Sequence, residues 1–307
     1  MSALATSFCG IAFQNPIVLA SGTAAYGREL HDIVNLEALG GLVTKAVSLH
    51  PRHGASAPRV AEFPGGMINA IGLANPGVDA VRDADLPWLA ANLRRARVLV
   101  NVVGYAVDEF AEVITRLGEA AGVSGYELNV SCPNVKAGGL EFGADRDALR
   151  TLVERARAAT SKPIVVKLSP TLTDIAGAAQ VAQDAGADAI TLTNTVPGLV
   201  IDTTTRRPRI GFGSGGMSGP PLLPIGVLAT WRATRVVTIP VIGLGGVSRG
   251  DHALQYIMAG ATLIGVGTAG MVDPRAPERI VQELARWCSR AGVASLSSIR
   301  GTLEWPT

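Results

Sequence analysis

Short apolar runs alternate with longer amphipathic segments along most of the chain. Eight of these runs are apolar on both faces, as Ile164-Val165-Val166 illustrates, and this pattern is typical of parallel strands that are covered on both sides. The predicted strands cover residues 17–20, 41–48, 98–104, 125–131, 163–169, 189–195, 240–246 and 263–269.

Segments with helical periodicity separate the strands. In one of them, Phe110, Val113, Ile114 and Leu117 recur at the spacing of a single helix face. The repeated strand–helix units predict an α/β fold, a (β/α)8 TIM barrel. A doubly wound sheet is the alternative, but no Gly-x-Gly-x-x-Gly turn follows the first strand. The predicted helices cover residues 107–121, 145–159, 173–186, 248–260 and 274–291.

Two connections are longer than a barrel requires. Residues 50–76 follow the second strand and residues 196–220 follow the sixth, and long structured loops at one end of a barrel are usually functional. Together with the loop after strand four, they are expected to act as lids over the mouth. Residues 8–15 are expected to form an N-terminal hairpin that plugs the other end. Because no linker interrupts the pattern, residues 1–307 are expected to form a single domain.

Composition narrows the classes of function. Apolar residues make up 48%, charged residues 17%, and the net charge is +2, which predicts a large core and argues against a nucleic-acid-binding surface. The chain has no uninterrupted apolar segment of membrane-spanning length and no signal-peptide pattern at its start, so a cytoplasmic protein without a membrane partner is expected. Cys9, Cys132 and Cys288 lie far apart, which argues against a disulfide framework or a metal site built by this chain.

The carboxyl ends of the predicted strands carry the candidate chemistry, because barrel enzymes place their sites there. Glycine-rich turns at 243–246 and 265–269 follow strands seven and eight, where exposed backbone N–H groups suit a phosphate. Two of the four lysines, Lys45 and Lys167, fall inside apolar strands, and a buried ammonium group needs an anionic partner. A phosphate, a flavin or a carboxylate ligand would supply that partner, and a structural ion pair with Glu127 is the alternative.

Several asparagines and one cysteine complete the candidate site. Amide side chains offer a donor and an acceptor in fixed geometry, which suits a flat heterocycle with alternating C=O and N–H groups. Cys132 lies just past strand four and is a candidate base or nucleophile, because the ordinary thiol pKa of about 8.5 is within reach of physiological pH. Cys9 and Cys288 are interpreted as packing residues. The asparagines are Asn69, Asn101, Asn129, Asn134 and Asn194.

A series of motifs, in order over nearly the whole chain, resembles the dihydroorotate dehydrogenases. The cysteine in the Ser-Cys-Pro-Asn turn is similar to class 1, whereas class 2 has a serine base and an N-terminal membrane-associating helix. Residues 135–139 and 206–208 look most like the catalytic subunit of the NAD-linked class 1B. The motifs are Thr44-Lys45, Asn69-Ala70-Ile71-Gly72-Leu73-Ala74-Asn75-Pro76-Gly77, Asn129-Val130-Ser131-Cys132-Pro133-Asn134-Val135-Lys136, Lys167-Leu168-Ser169-Pro170, Asn194-Thr195, Gly216-Met217-Ser218-Gly219-Pro220 and Gly243-Leu244-Gly245-Gly246.

The resemblance implies oxidation of (S)-dihydroorotate to orotate in pyrimidine (UMP) biosynthesis, with FMN as the cofactor of this chain. Cys132 would take the C5 proton while the C6 hydride passes to N5 of FMN. The residues that would bind the pyrimidine are Lys45, Asn69, Ala70, Ile71, Gly72, Leu73, Asn129, Asn134, Asn194 and Thr195. Those that would bind FMN are Ser21, Gly22, Lys45, Ala46, Asn101, Asn129, Lys167, Thr193, Gly219, Gly245, Gly246, Gly267 and Thr268.

The NAD-linked class also implies a second subunit. This chain has no cluster-ligand cysteines and no dinucleotide fingerprint, so FAD and a 2Fe-2S cluster would belong to an electron-transfer partner. A homodimer, or a heterotetramer of two catalytic and two electron-transfer subunits, is expected. Three alternatives stay open: the fumarate-dependent class 1A, a uracil or thymine reductase like dihydropyrimidine dehydrogenase, and a non-enzymatic barrel that binds a phosphorylated ligand. Turnover with fumarate, activity on uracil and a missing flavin absorbance, respectively, would distinguish them.

Overall fold

The fold is a closed barrel of eight parallel strands, which confirms the TIM-barrel prediction. The structure, a computed structural model, describes residues 2–131, 133–134 and 140–306, and of residues 133, 134 and 140 it describes the backbone. In chain order, the strands are β1 (Thr6–Phe8), β2 (Ile11–Phe13), β3 (Ile17–Leu19), β4 (Gly41–Val43), β5 (Val60–Phe63), β6 (Gly66–Asn69), β7 (Arg97–Val102), β8 (Val123–Asn129), β9 (Pro133–Asn134), β10 (Leu140–Glu141), β11 (Ile164–Leu168), β12 (Ala189–Leu192), β13 (Val196–Gly198), β14 (Ile201–Asp202), β15 (Arg207–Pro208), β16 (Gly215–Ser218), β17 (Val241–Leu244) and β18 (Leu263–Val266).

The eight barrel strands are those that the sequence predicts. They are β3, β4, β7, β8, β11, β12, β17 and β18, and each pairs in parallel with the next until β18 returns to β3. Each of them ends before its predicted limit. For example, β4 ends at Val43, so Lys45 lies two residues beyond the strand and not inside it. Asn101, Asn129 and Lys167 stay within the last residues of β7, β8 and β11, next to the mouth of the barrel.

Helices cover the outside of the barrel. In α3 the residues Phe110, Val113, Ile114 and Leu117 are all buried, as their spacing predicts. Asp145 and Asp174 cap α4 and α5 by accepting hydrogen bonds from backbone N–H groups of the first turn. No helix of the described residues is long and apolar enough to cross a membrane. The helices are α1 (Val78–Ala80), α2 (Leu86–Asn92), α3 (Val107–Leu117), α4 (Arg146–Ala158), α5 (Ile175–Asp184), α6 (Leu223–Thr234), α7 (Gly250–Met258), α8 (Thr268–Val272) and α9 (Ala276–Ala291).

The antiparallel hairpin of β1 and β2 plugs the barrel at the amino-terminal end of its strands, as predicted. Phe8 and Phe13 pack edge to face, with their ring centroids 6.0 Å apart. Both rings lie in a separate buried cluster with side chains from seven barrel strands, including Val165 and Leu263. The hairpin therefore closes one end of the barrel with apolar side chains and leaves the carboxyl end to the site.

The two long connections join into one structure at the carboxyl end. Strands β5 and β6 from the first connection and β13 and β16 from the second form a four-stranded antiparallel sheet in the order β13-β16-β6-β5. Asn69 pairs with Gly216 in this sheet, and Met67 pairs with Ser218. We call it the lid sheet. The third predicted insertion, after β8, includes the short pair β9 and β10, in which Glu141 is the partner of Pro133.

Candidate active site

A cavity of about 470 Å³ lies at the carboxyl end of the barrel. That volume is within the usual range for small-molecule sites. Residues at or just beyond the ends of all eight barrel strands line it, and residues of the lid sheet close one side. The barrel strands therefore bring together positions that are up to about 250 residues apart in the sequence, such as Ser21 and Thr268.

All thirteen residues predicted to bind FMN line this one cavity. Seven of the ten predicted pyrimidine ligands also line it: Lys45, Asn69, Ile71, Leu73, Asn129, Asn194 and Thr195. Cys132 lies outside the described residues. For Asn134 the structure describes the backbone, as part of β9, and not the side chain. The roles of these residues as ligands remain predictions.

Ala70 and Gly72 do not line the cavity, unlike their neighbours in sequence. Asn69, Ile71 and Leu73 are lining residues. Asn69 ends β6, and the chain then enters a turn in which Gly72 and Leu73 have φ angles of +67° and +55°. The Ala70 N–H donates to the backbone oxygen of Arg59, 2.8 Å away, and Gly72 packs closely against Gly54 and Ala55. Ala70 and Gly72 thus lie beside the cavity and not on its wall, and the binding of the pyrimidine by residues 69–73 stays a prediction.

A hydrogen-bonded amide pair faces the cavity between β8 and β12. The Asn194 amide nitrogen donates to the Asn129 amide oxygen at 3.1 Å, and the Asn194 oxygen accepts the Thr195 N–H at 2.8 Å. Across the cavity, the Asn69 amide nitrogen donates to the backbone oxygen of Gly216 at 3.2 Å. Each amide is thus held in one orientation before any ligand binds, which is what recognition of a polar ring requires.

Lys167 both faces the cavity and forms an ion pair with Glu127, the two roles that the sequence suggests for a buried lysine. Its side chain is 6% exposed and lines the cavity, and its Nζ donates to Ser21 Oγ at 3.1 Å. The same Nζ lies 3.8 Å from Glu127 Oε1, in an ion pair whose acid is 1% exposed. The structural ion pair and the ligand-facing position therefore coexist.

The glycine turns after β17 and β18 form another wall of the cavity. Gly245 and Gly246 have φ angles of +132° and +70°, a region that favours glycine. A Cβ on Gly246 would lie 2.5 Å from the backbone nitrogen of Leu223. Tyr256 fixes the turn by donating its hydroxyl to the Gly245 oxygen at 2.8 Å. The backbone can therefore approach a ligand closely here, as phosphate recognition requires.

Replacing Gly246 with alanine is expected to weaken FMN binding by at least about tenfold and to lower stability by about 1–3 kcal/mol, because the turn must shift to admit the methyl group. Fluorescence titration of apoprotein with FMN, together with denaturant unfolding, measures both effects. Gly292→Ala is the matched control, because its φ is +66° and a Cβ there meets nothing within 4 Å. Equal FMN affinity in the two variants would contradict the prediction that this turn binds the phosphate of FMN.

The cavity extends beyond the residues that the sequence singled out. Met271, Val272, Asp273 and Arg279 line it past the last glycine turn. Hydrogen bonds from Arg279 and from the backbone N–H of Arg275 lower the pKa of Asp273 below its ordinary value. The signal that could have identified these residues is their position: they continue the chain directly from Thr268 through α8 into α9.

A second acidic residue, Glu141, lies beside the loop that follows β8. Its Oε1 accepts from Ser169 Oγ at 3.3 Å, and Ser169 is also 2.6 Å from the Thr171 hydroxyl. Glu141 Oε2 is buried without a hydrogen-bond partner among the described residues. Burial raises the pKa of Glu141, and the hydrogen bonds from Ser169 and Thr171 offset part of that rise.

Because the folded pKa of Glu141 is raised, its protonated form favours folding, and this contribution is lost as pH rises through the folded pKa. Glu141→Gln is therefore expected to melt at a higher temperature than the wild type at neutral pH. The difference should shrink as pH falls toward the ordinary glutamate pKa of about 4.3. Thermal melts across that range test this, with Glu154→Gln on the exposed face of α4 as the control. A pH-independent difference would contradict it.

The cavity fits FMN in its chemistry. Close-approach glycine turns suit the phosphate, and Lys167 and Asn101 suit the polar edge of the ring. Thr193 Oγ1 is buried without a hydrogen-bond partner among the described residues and belongs to a cavity-lining residue, as expected where a ligand completes the site. Together, the fold and the site define a TIM barrel built to hold a phosphorylated, flat polar cofactor at the carboxyl ends of its strands.

Comparison with known proteins identifies the family. The dihydroorotate dehydrogenase family model matches residues 3–287, and the chain belongs to that family. A Solibacter usitatus protein, named provisionally as dihydroorotate dehydrogenase A (fumarate), is 48% identical over 98% of this chain and 99% of its own length. The Geobacter sp. (strain M21) and Geobacter sulfurreducens proteins named dihydroorotate dehydrogenase B (NAD(+)), catalytic subunit, are each 44% identical over 98% of both chains.

A solved structure supports the fold independently. The Eimeria tenella DHODH, crystallised in complex with ferulenol, superposes with a TM-score of 0.83 over 98% of this chain and 88% of that one. The two sequences are 24% identical, so this likeness speaks for the architecture and not for the chemistry of the site.

Proposed function

We propose that this chain oxidises (S)-dihydroorotate to orotate with FMN bound in the barrel cavity. The observation that carries the proposal is the convergence of all thirteen expected FMN residues on one cavity, in a chain that belongs to the dihydroorotate dehydrogenase family. When bound, FMN supplies an acceptor for the hydride. The chain's residues 1–307 act in this proposal as one cytoplasmic FMN-binding unit.

The amides and lysines orient the substrate. Asn129 and Asn194 are already fixed by their mutual hydrogen bond, so they present a preorganised donor and acceptor to the ring. Lys45 lines the same cavity as a half-buried cation and is suited to a ring oxygen or to the carboxylate. Asn69, at the end of β6 in the lid sheet, lines the same cavity and is the third amide proposed to bind the substrate ring.

Cys132 is the base in this proposal. It is the third residue after β8, the strand that also supplies Asn129 to the cavity. As a thiolate it takes the C5 proton of dihydroorotate, while Asn129 and Asn194 hold the ring. The C5 proton therefore leaves to a side chain of this chain.

NAD+ is the proposed final acceptor, reached through a partner subunit that carries FAD and a 2Fe-2S cluster. The names of several relatives at 41–44% identity, which are catalytic subunits of the NAD(+) type, support this route. Fumarate is the second candidate, because the relative at 48% identity carries the fumarate-type name. We further propose an assembly of two catalytic and two electron-transfer subunits, or a homodimer if the chain acts alone.

An absorbance spectrum followed by anaerobic addition of dihydroorotate tests the reaction. The purified chain should show flavin absorbance, and the absorbance should bleach with dihydroorotate but not with dihydrouracil. A protein that takes up no FMN, or a flavin that only dihydrouracil reduces, would contradict the proposal.

The acceptor is tested on the reduced chain. Affinity purification from the native host should recover a flavin–iron–sulfur subunit, and NAD+ should reoxidise that complex. Rapid reoxidation of the isolated chain by fumarate, with no such subunit recovered, would overturn the NAD-linked route and leave the oxidation itself intact.

A further inference from the structure

Glu127 is a buried acid just behind the cavity wall. It lies in β8, is 1% exposed, and is not itself a lining residue. Its Oε1 accepts from Asn101 Nδ2 at 2.7 Å, and its Oε2 accepts from Thr191 Oγ1 at 2.9 Å. Lys167 Nζ lies 3.8 Å from Oε1. One carboxylate therefore holds side chains of three neighbouring strands of the barrel.

Two of these partners line the cavity, so Glu127 acts on the site through them. Because Asn101 turns its amide nitrogen toward Glu127, its amide oxygen is the end left for a ligand. An amide is otherwise free to present either end. The Glu127 carboxylate thus decides whether this position offers an acceptor or a donor.

Glu127 also determines how strongly the positive charge of Lys167 acts on a ligand in the cavity. Lys167 Nζ is held between Glu127 Oε1 and Ser21 Oγ, at 3.8 Å and 3.1 Å. In a site of low effective dielectric constant, a partner at about 4 Å offsets a large part of the field of an ammonium group. A ligand in the cavity therefore meets a lysine whose charge is partly compensated from behind.

We infer that Glu127 is a positioning residue that sets the reduction potential of the bound flavin through Lys167 and Asn101. The inference rests on the proposed function, because it requires FMN in the cavity. Compensation by Glu127 weakens the stabilisation of the negatively charged reduced flavin. It thereby holds the potential lower than an uncompensated Lys167 would.

The test is the midpoint potential of the FMN-loaded protein, measured anaerobically by equilibration with a redox dye near neutral pH. Glu127→Gln removes the negative charge and nearly preserves the shape. We expect the equilibrium to shift toward reduced flavin by at least tenfold, which is about 30 mV for a two-electron couple. Thr191→Val is the matched control, because it removes one hydrogen bond from Glu127 and leaves the carboxylate. Its equilibrium should stay within about twofold of the wild type.

Further variants protect the test against a folding failure. Lys167→Gln should shift the potential in the opposite direction, and Glu127→Gln/Lys167→Gln should lie between the two single variants. If Glu127→Gln alone does not fold, the double variant must still have a higher potential than Lys167→Gln. The inference would be overturned if the ratio of reduced to oxidised flavin in Glu127→Gln stayed within twofold of the wild-type ratio. It would also be overturned if the midpoint potential of the double variant were no higher than that of Lys167→Gln. A wild-type chain that takes up no FMN would instead overturn the proposed function.

Discussion

Replacing Cys132 with serine is expected to slow reduction of the bound flavin by dihydroorotate by about 10²- to 10⁴-fold near neutral pH. FMN should remain bound, because none of the thirteen cavity-lining FMN residues is changed. The physical reason is basicity: a thiol with an ordinary pKa of about 8.5 supplies thiolate at physiological pH, whereas an alcohol supplies almost no alkoxide. Single-turnover stopped-flow spectroscopy at the flavin absorbance measures the rate.

Cys9→Ser is the matched control for Cys132→Ser. Cys9 lies by the hairpin at the closed end of the barrel, and its Sγ donates to the Asp188 backbone oxygen at 3.4 Å, which a serine hydroxyl can replace. Burial and the charge of Asp188 raise the pKa of Cys9 to about 12, so this thiol stays protonated. The control should reduce flavin at the wild-type rate. An unchanged single-turnover rate in Cys132→Ser would remove Cys132 from the role of base.

The barrel can be predicted from the sequence because its strands are buried on both faces. Continuous apolar runs such as 164–166, separated regularly by helical segments, are typical of a parallel sheet covered by helices, and eight strand–helix units favour a barrel over a doubly wound sheet. The positions of the candidate ligands follow from the same argument, because polar residues near the carboxyl end of a buried strand lie next to the mouth of the barrel. That is why Asn101, Asn129 and Lys167 all reach the cavity.

The lid sheet cannot be predicted from the sequence in the same way. It depends on pairing between Asn69 and Gly216, from two connections separated by four barrel strands, and no local pattern specifies such a contact. The role of Glu127 was open for a different reason. The sequence shows that Glu127 is available as an acidic partner for Lys167. It does not show which oxygen of the Glu127 carboxylate accepts a hydrogen bond from which donor.

The barrel and the site are coupled through the pair of Lys167 and Glu127. Replacing Lys167 with alanine leaves Glu127 buried without its cation, and breaking a buried pair by removing one partner typically destabilises a protein by about 3–5 kcal/mol. The same change removes a cation from the cavity wall. We therefore expect Lys167→Ala to lower the free energy of unfolding of the apoprotein by that amount and, separately, to weaken FMN retention or slow flavin reduction.

Denaturant unfolding of apoprotein and FMN titration separate the two effects of Lys167→Ala. Arg146→Ala is the control, because Arg146 and Asp174 form an exposed pair at 2.6 Å, with side chains 64% and 56% exposed. Removing that cation should lower stability by less than about 1 kcal/mol. Adding Glu127→Gln to Lys167→Ala should recover part of the lost stability, because the unpaired charge is gone, but it should not recover the loss at the flavin. A Lys167→Ala variant with wild-type flavin content and rate would show that Lys167 serves the barrel alone, since only its contact with Glu127 would then have a measurable effect.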